Sequence, residues 1–203
     1  QKLLNDNGVI RWTALVLIAL MMFFAYMFVD VLSPLSTLLE TSKGWSAETY
    51  GTFCSSEYFL NVFAFFLIFA GIILDKMGIR FTGILSGAVM VIGASIKLYA
   101  ISDFFTPDSG LYRFLDSFWT SFPATAKLAS IGFMIFGCGV EMGGVTVSKA
   151  IAKWFKGKSM ALAMGLQLAI ARLGTAAALL LSPVLVAESE TGMYPLDITN
   201  RPA

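Results

Sequence analysis

The chain has 203 residues, 57% of them hydrophobic and 13% charged, with a mean hydropathy of +0.78. Soluble domains carry about 25% charged residues, so this chain lacks the polar surface that a water-exposed fold requires. A net charge of +1, two cysteines and no histidine exclude a nucleic-acid-binding surface, a disulfide scaffold, His-based triads and His-containing metal sites. The composition is that of an all-α membrane protein.

A helix crosses a bilayer core with about 20 apolar residues. Runs of that kind predict five spanning helices, over about 11–32, 49–74, 80–101, 127–149 and 158–187. The first opens at Arg11 and closes at Asp30; it is too long for a signal-peptide core and is read as retained. The second contains Glu57, and the third ends near Lys97, placed where a long side chain can snorkel to the interface. The fourth is interrupted by Glu141 and the fifth by Arg172, with Ser182-Pro183 as an expected kink or end. Residues 104–126 form an amphipathic outer loop. There Thr106-Pro107-Asp108 resembles a helix start, and Leu111, Phe114, Leu115, Phe118, Trp119 and Phe122 recur at helical spacing. This aromatic face suits either a helix lying in the membrane interface or a lid over the outer span ends.

Sidedness follows from Lys and Arg. With the N-terminus cytoplasmic, the inner segments hold Lys2, Arg11, Lys76, Arg80, Lys149, Lys153, Lys156 and Lys158 against Asp6 and Asp75. The outer segments hold five bases among eight acids. The inner bases sit in very short loops, where the positive-inside rule counts most. No Asn-x-Ser/Thr sequon lies in the outer loops, which favours a bacterial inner membrane over a lysosomal one.

Two motifs carry a resemblance. The turn between the second and third spans reads Gly71-Ile-Ile-Leu-Asp75-Lys76-Met-Gly78-Ile-Arg80. Its glycines, acid and bases resemble the major facilitator superfamily signature between the second and third helices. The run Gly137-Cys-Gly-Val-Glu141, then Trp154-Phe155-Lys156-Gly157-Lys158, then Gly165-Leu166-Gln167-Leu168 through Ala171-Arg172-Leu173-Gly174 is similar to the dipeptide-uniporter branch of that superfamily. The resemblance implies the N-terminal portion of a six-helix bundle, with a sixth helix and a C-terminal bundle expected elsewhere. It implies gating by Gly71, Asp75, Lys76, Gly78 and Arg80. It also implies that Glu141 and Arg172 take the termini of a peptide substrate.

Depth in the membrane singles out the same pair without the family. Glu141 lies 15 residues before Lys156 and Arg172 lies 16 after it. At 1.5 Å per residue both sit roughly 20 Å of helix from the turn. Each such ion costs about 2.5–3.5 kcal/mol at the centre of a span, so two at one level must face the interior. The bland alternative is a structural salt bridge, although a buried ion pair rarely outperforms apolar packing. Glu57 and Asp30 are further candidates, for proton coupling or for lining an outer vestibule. Cys54 and Cys138 read as small apolar fillers. The glycine cluster of the fourth span lies inside an apolar run, not after a strand, and suits close helix approach. Two functions follow: a carrier of small organic solutes, dipeptides or amino acids, by alternating access, or a non-transporting membrane module held by a Glu141–Arg172 bridge. No cofactor, metal or nucleic-acid partner is expected, and no enzymatic motif occurs. The expected partners are the lipid bilayer, a small-molecule substrate and a C-terminal transporter half.

Overall fold

A computed structural model describes residues 7–190, and among them only helices and turns occur. In chain order they are α1 (Gly8–Asp30), a 3-10 turn (Ser33–Leu35), α2 (Ser36–Lys43), α3 (Ala47–Phe63), α4 (Phe66–Ile101), α5 (Gly110–Asp116), α6 (Ala124–Trp154) and α7 (Met160–Glu190). Local chemistry explains the starts. Asn7 Oδ1 accepts from Val9 N, the Ser46 side chain from Thr49 N and the Ser109 side chain from Tyr112 N, satisfying amides that a first helical turn cannot satisfy itself. Gly44, at φ 69°, closes α2 with the left-handed residue that glycine adopts without strain.

By length and composition, α1 with its short extension, α4, α6 and α7 are each able to cross a membrane. The path of the chain follows from register. Trp45 meets Thr125, Phe53 stacks on Phe133, Glu57 faces Gly137, and Leu74 O lies 3.5 Å from Lys149 Nζ. α3 and residues 66–77 therefore run alongside α6 in the same direction, as one pass. After Gly78 the order reverses: Gly83 meets Thr146, Ser86 bonds Gly139 O, and Gly93 meets Gly132 and Phe136. α4 thus contains a hairpin. Gly78, at φ 81° and ψ 172°, occupies a region essentially closed to other residues, and it is where the second pass ends and the third begins. The described helices make five passes: α1, α3 with the first part of α4, the rest of α4, α6, and α7.

Two features depart from the sequence reading. The second pass is broken at Ala64-Phe65, with Phe65 at φ 50°. Bonds from Ala64 N to Leu60 O and from Ile68 N to Phe65 O limit the number of open backbone groups there. Pro183, expected to kink or end the last span, lies inside an unbroken α7 that continues to Glu190; neighbouring groups can re-satisfy a freed carbonyl in an apolar helix.

α6 is the centre of the packing. It buries most of its length against α4 and α3, while α1 packs chiefly on α7; contacts of α6 with α7 and of α1 with α4 are sparse. Apolar burial does not drive helix association in lipid, so close approach of small residues and interhelical hydrogen bonds carry it. Gly137 lies directly against the Glu57 backbone, and Gly174 against Phe23 O. Ser86 Oγ donates to Gly139 O at 2.8 Å and Ser56 Oγ to Ser130 O at 3.3 Å. Large apolar side chains such as Leu17, Ile84, Val91 and Leu180 face outward, as lipid-exposed surface does.

Candidate functional site

Glu141 sits on α6 one turn beyond Gly137, and Arg172 sits on α7 two residues before Gly174. Register places them at one level. α6 reaches α1 near Met21 and Met22 through Gly143, and α7 reaches α1 at Phe23 through Gly174. The depth expected from the sequence therefore agrees with the neighbours each helix meets. They do not form an ion pair: among the described residues the salt bridges are Lys43–Asp103, Asp108–Arg113 and Asp75–Lys149. The Arg172 guanidinium instead lies over the Tyr26 ring, 5.1 Å from its centroid. Tyr26 in turn interacts with Tyr58, which interacts with Glu57 and Glu141. The acid and the base are thus the two ends of a polar layer that passes through tyrosines of α1 and α3.

Two oxygens of this layer are buried with no hydrogen-bond partner, Asn61 Oδ1 and Thr175 Oγ1. Asn61 follows Glu57 by one turn and donates through Nδ2 to Glu57 O at 3.4 Å. Thr175 lies one residue after Gly174. Buried polar atoms are nearly always paired, so an orphan invites a ligand or water as its explanation.

Glu57 is buried at 6% exposure beneath Gly137, where it interacts with Glu141, Lys97 and Asp30. Asp30 is the last residue of α1 and half-buried. Lys97 corrects the snorkelling expectation. It is 4% exposed, donates to Phe28 O at 2.7 Å, and lies over the rings of Phe133 and Phe136 at 4.7 and 5.4 Å. A carbonyl in the last turn of a helix and two aromatic faces are good partners for a cation. Sequence reasoning missed this role because Lys97 stands near the end of an apolar run, and hydropathy does not tell which face of the helix meets α6. A groove of about 660 Å³ lies beside Lys97, between α1, α7 and the second part of α4, walled by Phe24, Phe28, Met90 and Leu185 among others. It includes neither Glu141 nor Arg172.

At the opposite end of the passes lies the motif turn. Asp75 receives a 2.6 Å bond from Lys149 Nζ, and the same ammonium lies 3.5 Å from Leu74 O. The structure gives Asp75 a partner 74 residues away on α6, which the local motif did not reveal. Gly71 is half-buried in the second pass, Gly78 forms the turn, and Lys76 and Arg80 are exposed beside it. Their arrangement does not bring Arg80 to Asp75 within ion-pair distance. The Asp75 and Lys149 side chains are 78% and 42% exposed, so the pair is screened. Replacing Asp75 by asparagine is expected to cost less than about 1 kcal/mol in stability; chemical denaturation in detergent checks this, and a larger loss would mean that the pair bears on folding.

The profile of the major facilitator superfamily matches residues 18–191, most of the chain. The chain belongs to the major facilitator superfamily. No curated protein and no solved structure matches it. As a superfamily member with four described helices long and apolar enough to cross a membrane, it is an integral multi-pass membrane protein, and its function is the transport of small solutes across a lipid bilayer. The superfamily moves solutes rather than transforming them, and the described passes form part of its helical bundle.

Proposed function

We propose that this superfamily member carries dipeptides or amino acids by alternating access, with Glu141 receiving the substrate ammonium and Arg172 its carboxylate. The observation that carries the reading is the unpaired state of these two opposite charges at one level. A carboxylate suits an ammonium, and a guanidinium offers a two-pronged fork to a carboxylate. Carrier sites are expected near mid-membrane, and the unpartnered oxygens of Asn61 and Thr175 in the same layer supply further acceptors for a peptide's N–H groups. The alternative, a non-transporting module stapled by a Glu141–Arg172 bridge, requires a contact that this conformation lacks.

In this reading a C-terminal half closes the other side of the site, and the end bearing Gly78, Lys149, Lys153, Lys156 and Lys158 faces the cytoplasm, as the positive-inside rule requires. A bacterial inner membrane is the setting proposed. Gly71, Asp75, Lys76, Gly78 and Arg80 gate that face, and the Asp75–Lys149 bond is one of the ties that opening breaks. Asp30 and Glu57 line the approach from the other side or take part in proton coupling.

Uptake of a labelled dipeptide by liposomes carrying the complete reading frame tests the assignment. Wild type is expected to accumulate label, and Glu141→Gln and Arg172→Ala to fall to background while melting as wild type does. Unchanged uptake in both variants would remove the site. No wild-type uptake across a mixed dipeptide panel would remove the peptide assignment while leaving the superfamily membership intact.

A further inference from the structure

The segment between α4 and α6 does not behave as one continuous aromatic helix. α5 ends at Asp116, Trp119 takes a left-handed turn at φ 49°, and Phe122 folds back to stack on Trp119 at 5.2 Å. The residues expected on one face are therefore divided. Leu115 and Phe122 are buried with Phe105, which contacts Tyr112 at 5.1 Å and Tyr99 at 5.6 Å. Phe104, Leu111, Phe114, Phe118 and Trp119 point outward, at 84, 46, 65, 47 and 63% exposure.

Lys127 fixes this arrangement. Its buried ammonium donates to Leu115 O at 2.5 Å and to Phe118 O, and it lies 4.7 Å from the Phe118 ring centroid. One cation at the start of α6 thus holds two carbonyls just where α5 runs out of internal partners. Those bonds fix the backbone at Leu115 and Phe118, beside the outward rings of Phe114 and Trp119.

We infer that the outward aromatic face of residues 104–119 is a membrane-interface anchor, seated in the headgroup and glycerol layer of the leaflet at the α5 end of the bundle. Continuity with the lipid-facing surface supports this occupant. Leu98 and Tyr99, both exposed, lie in the last turn of α4, and exposed Phe104 follows Tyr99 by five residues. The rings prolong the apolar belt beyond the last turn of the span, to the level where Trp and Tyr concentrate at membrane boundaries. The neighbouring charges Asp103, Asp108, Arg113 and Asp116 are exposed, as a segment bordering water requires. The anchor holds the α5 end of α6 at constant depth, independently of what the carrier transports.

Trp119 is itself the probe. Emission is compared between the intact chain and Trp119→Phe in phosphatidylcholine liposomes, the acyl chains brominated either near the carboxyl end or near the methyl end. The difference signal belongs to Trp119. It is expected to drop about two-fold with the shallow bromines, less with the deep ones, and little with aqueous iodide. Quenching by iodide without bromine quenching would place the ring in water and overturn the anchor. Stronger quenching by the deep bromines would place it in the hydrocarbon core, and quenching by none would place it against protein; either result also overturns it. If Trp119→Phe does not fold, Phe104→Trp, on the most exposed ring of the set, provides the same readout by gain of signal.

Discussion

Gly174→Ala is expected to destabilise the bundle by about 1–3 kcal/mol, although alanine is the better helix former. A Cβ at this position would overlap Phe23 O and lie 2.9 Å from Phe23 C and 3.2 Å from Met27 N. All three are backbone atoms of α1, so no rotamer change relieves the clash, and the helices must separate. Gly165, on the same α7, has nothing within 4 Å of such a Cβ. There the same substitution gains propensity of up to about 1 kcal/mol. The two variants should move the melting temperature in opposite directions in one detergent. A Gly174→Ala protein as stable as wild type would show that α1 and α7 do not meet as closely as described. Gly137→Ala should join Gly174→Ala on the destabilised side, since its Cβ would overlap Glu57 O and lie 2.8 Å from Glu57 Cγ.

The second large effect is charge reversal at Lys97. The ammonium is held by Phe28 O and the faces of Phe133 and Phe136, with Asp30 and Glu57 within electrostatic reach. A carboxylate offers no donor to the carbonyl, is repelled by both ring faces, and brings a further acid close to Asp30 and Glu57. Unpaired buried charges cost about 3–5 kcal/mol, so Lys97→Glu is expected to yield little folded protein. Lys97→Met leaves Phe28 O without its donor but buries no charge, and a loss nearer 1–3 kcal/mol follows from the broken charge-assisted bond. Size-exclusion profiles and melting curves of the three proteins read this ranking. Equal stability of Lys97→Glu and wild type would mean that the side chain reaches water.

Membrane character, the fold class and the motif turn were legible because each rests on local signals: long apolar runs, short basic loops, and a glycine flanked by charges. The common depth of Glu141 and Arg172 was also legible, since two straight helices leaving one tight turn must carry equally distant residues at equal depth. What escaped was lateral. Hydropathy says how deep Lys97 lies along its helix but not that it points between α1 and α6. The motif names Asp75 but not Lys149, its partner on another helix. Aromatic spacing continued to Phe122, yet the helix stopped at Asp116, because the Lys127 ammonium competes for the α5 carbonyls from outside the segment. The polar stretch after Asp30, which carries no spanning signal, folds as the short helix α2.

The division of the packing into α1 with α7 and α3, α4 with α6 bears on the order of synthesis. α1 is complete at Asp30, but its principal partner does not begin until Met160. While the ribosome makes everything between, the α1 surface around Phe23 that later meets Gly174 is without that helix. By contrast, α3 and α4 are already in place when α6 emerges. Among the described helices, the first to be made therefore waits longest for its main partner, and α1 is packed only once α7 docks onto it.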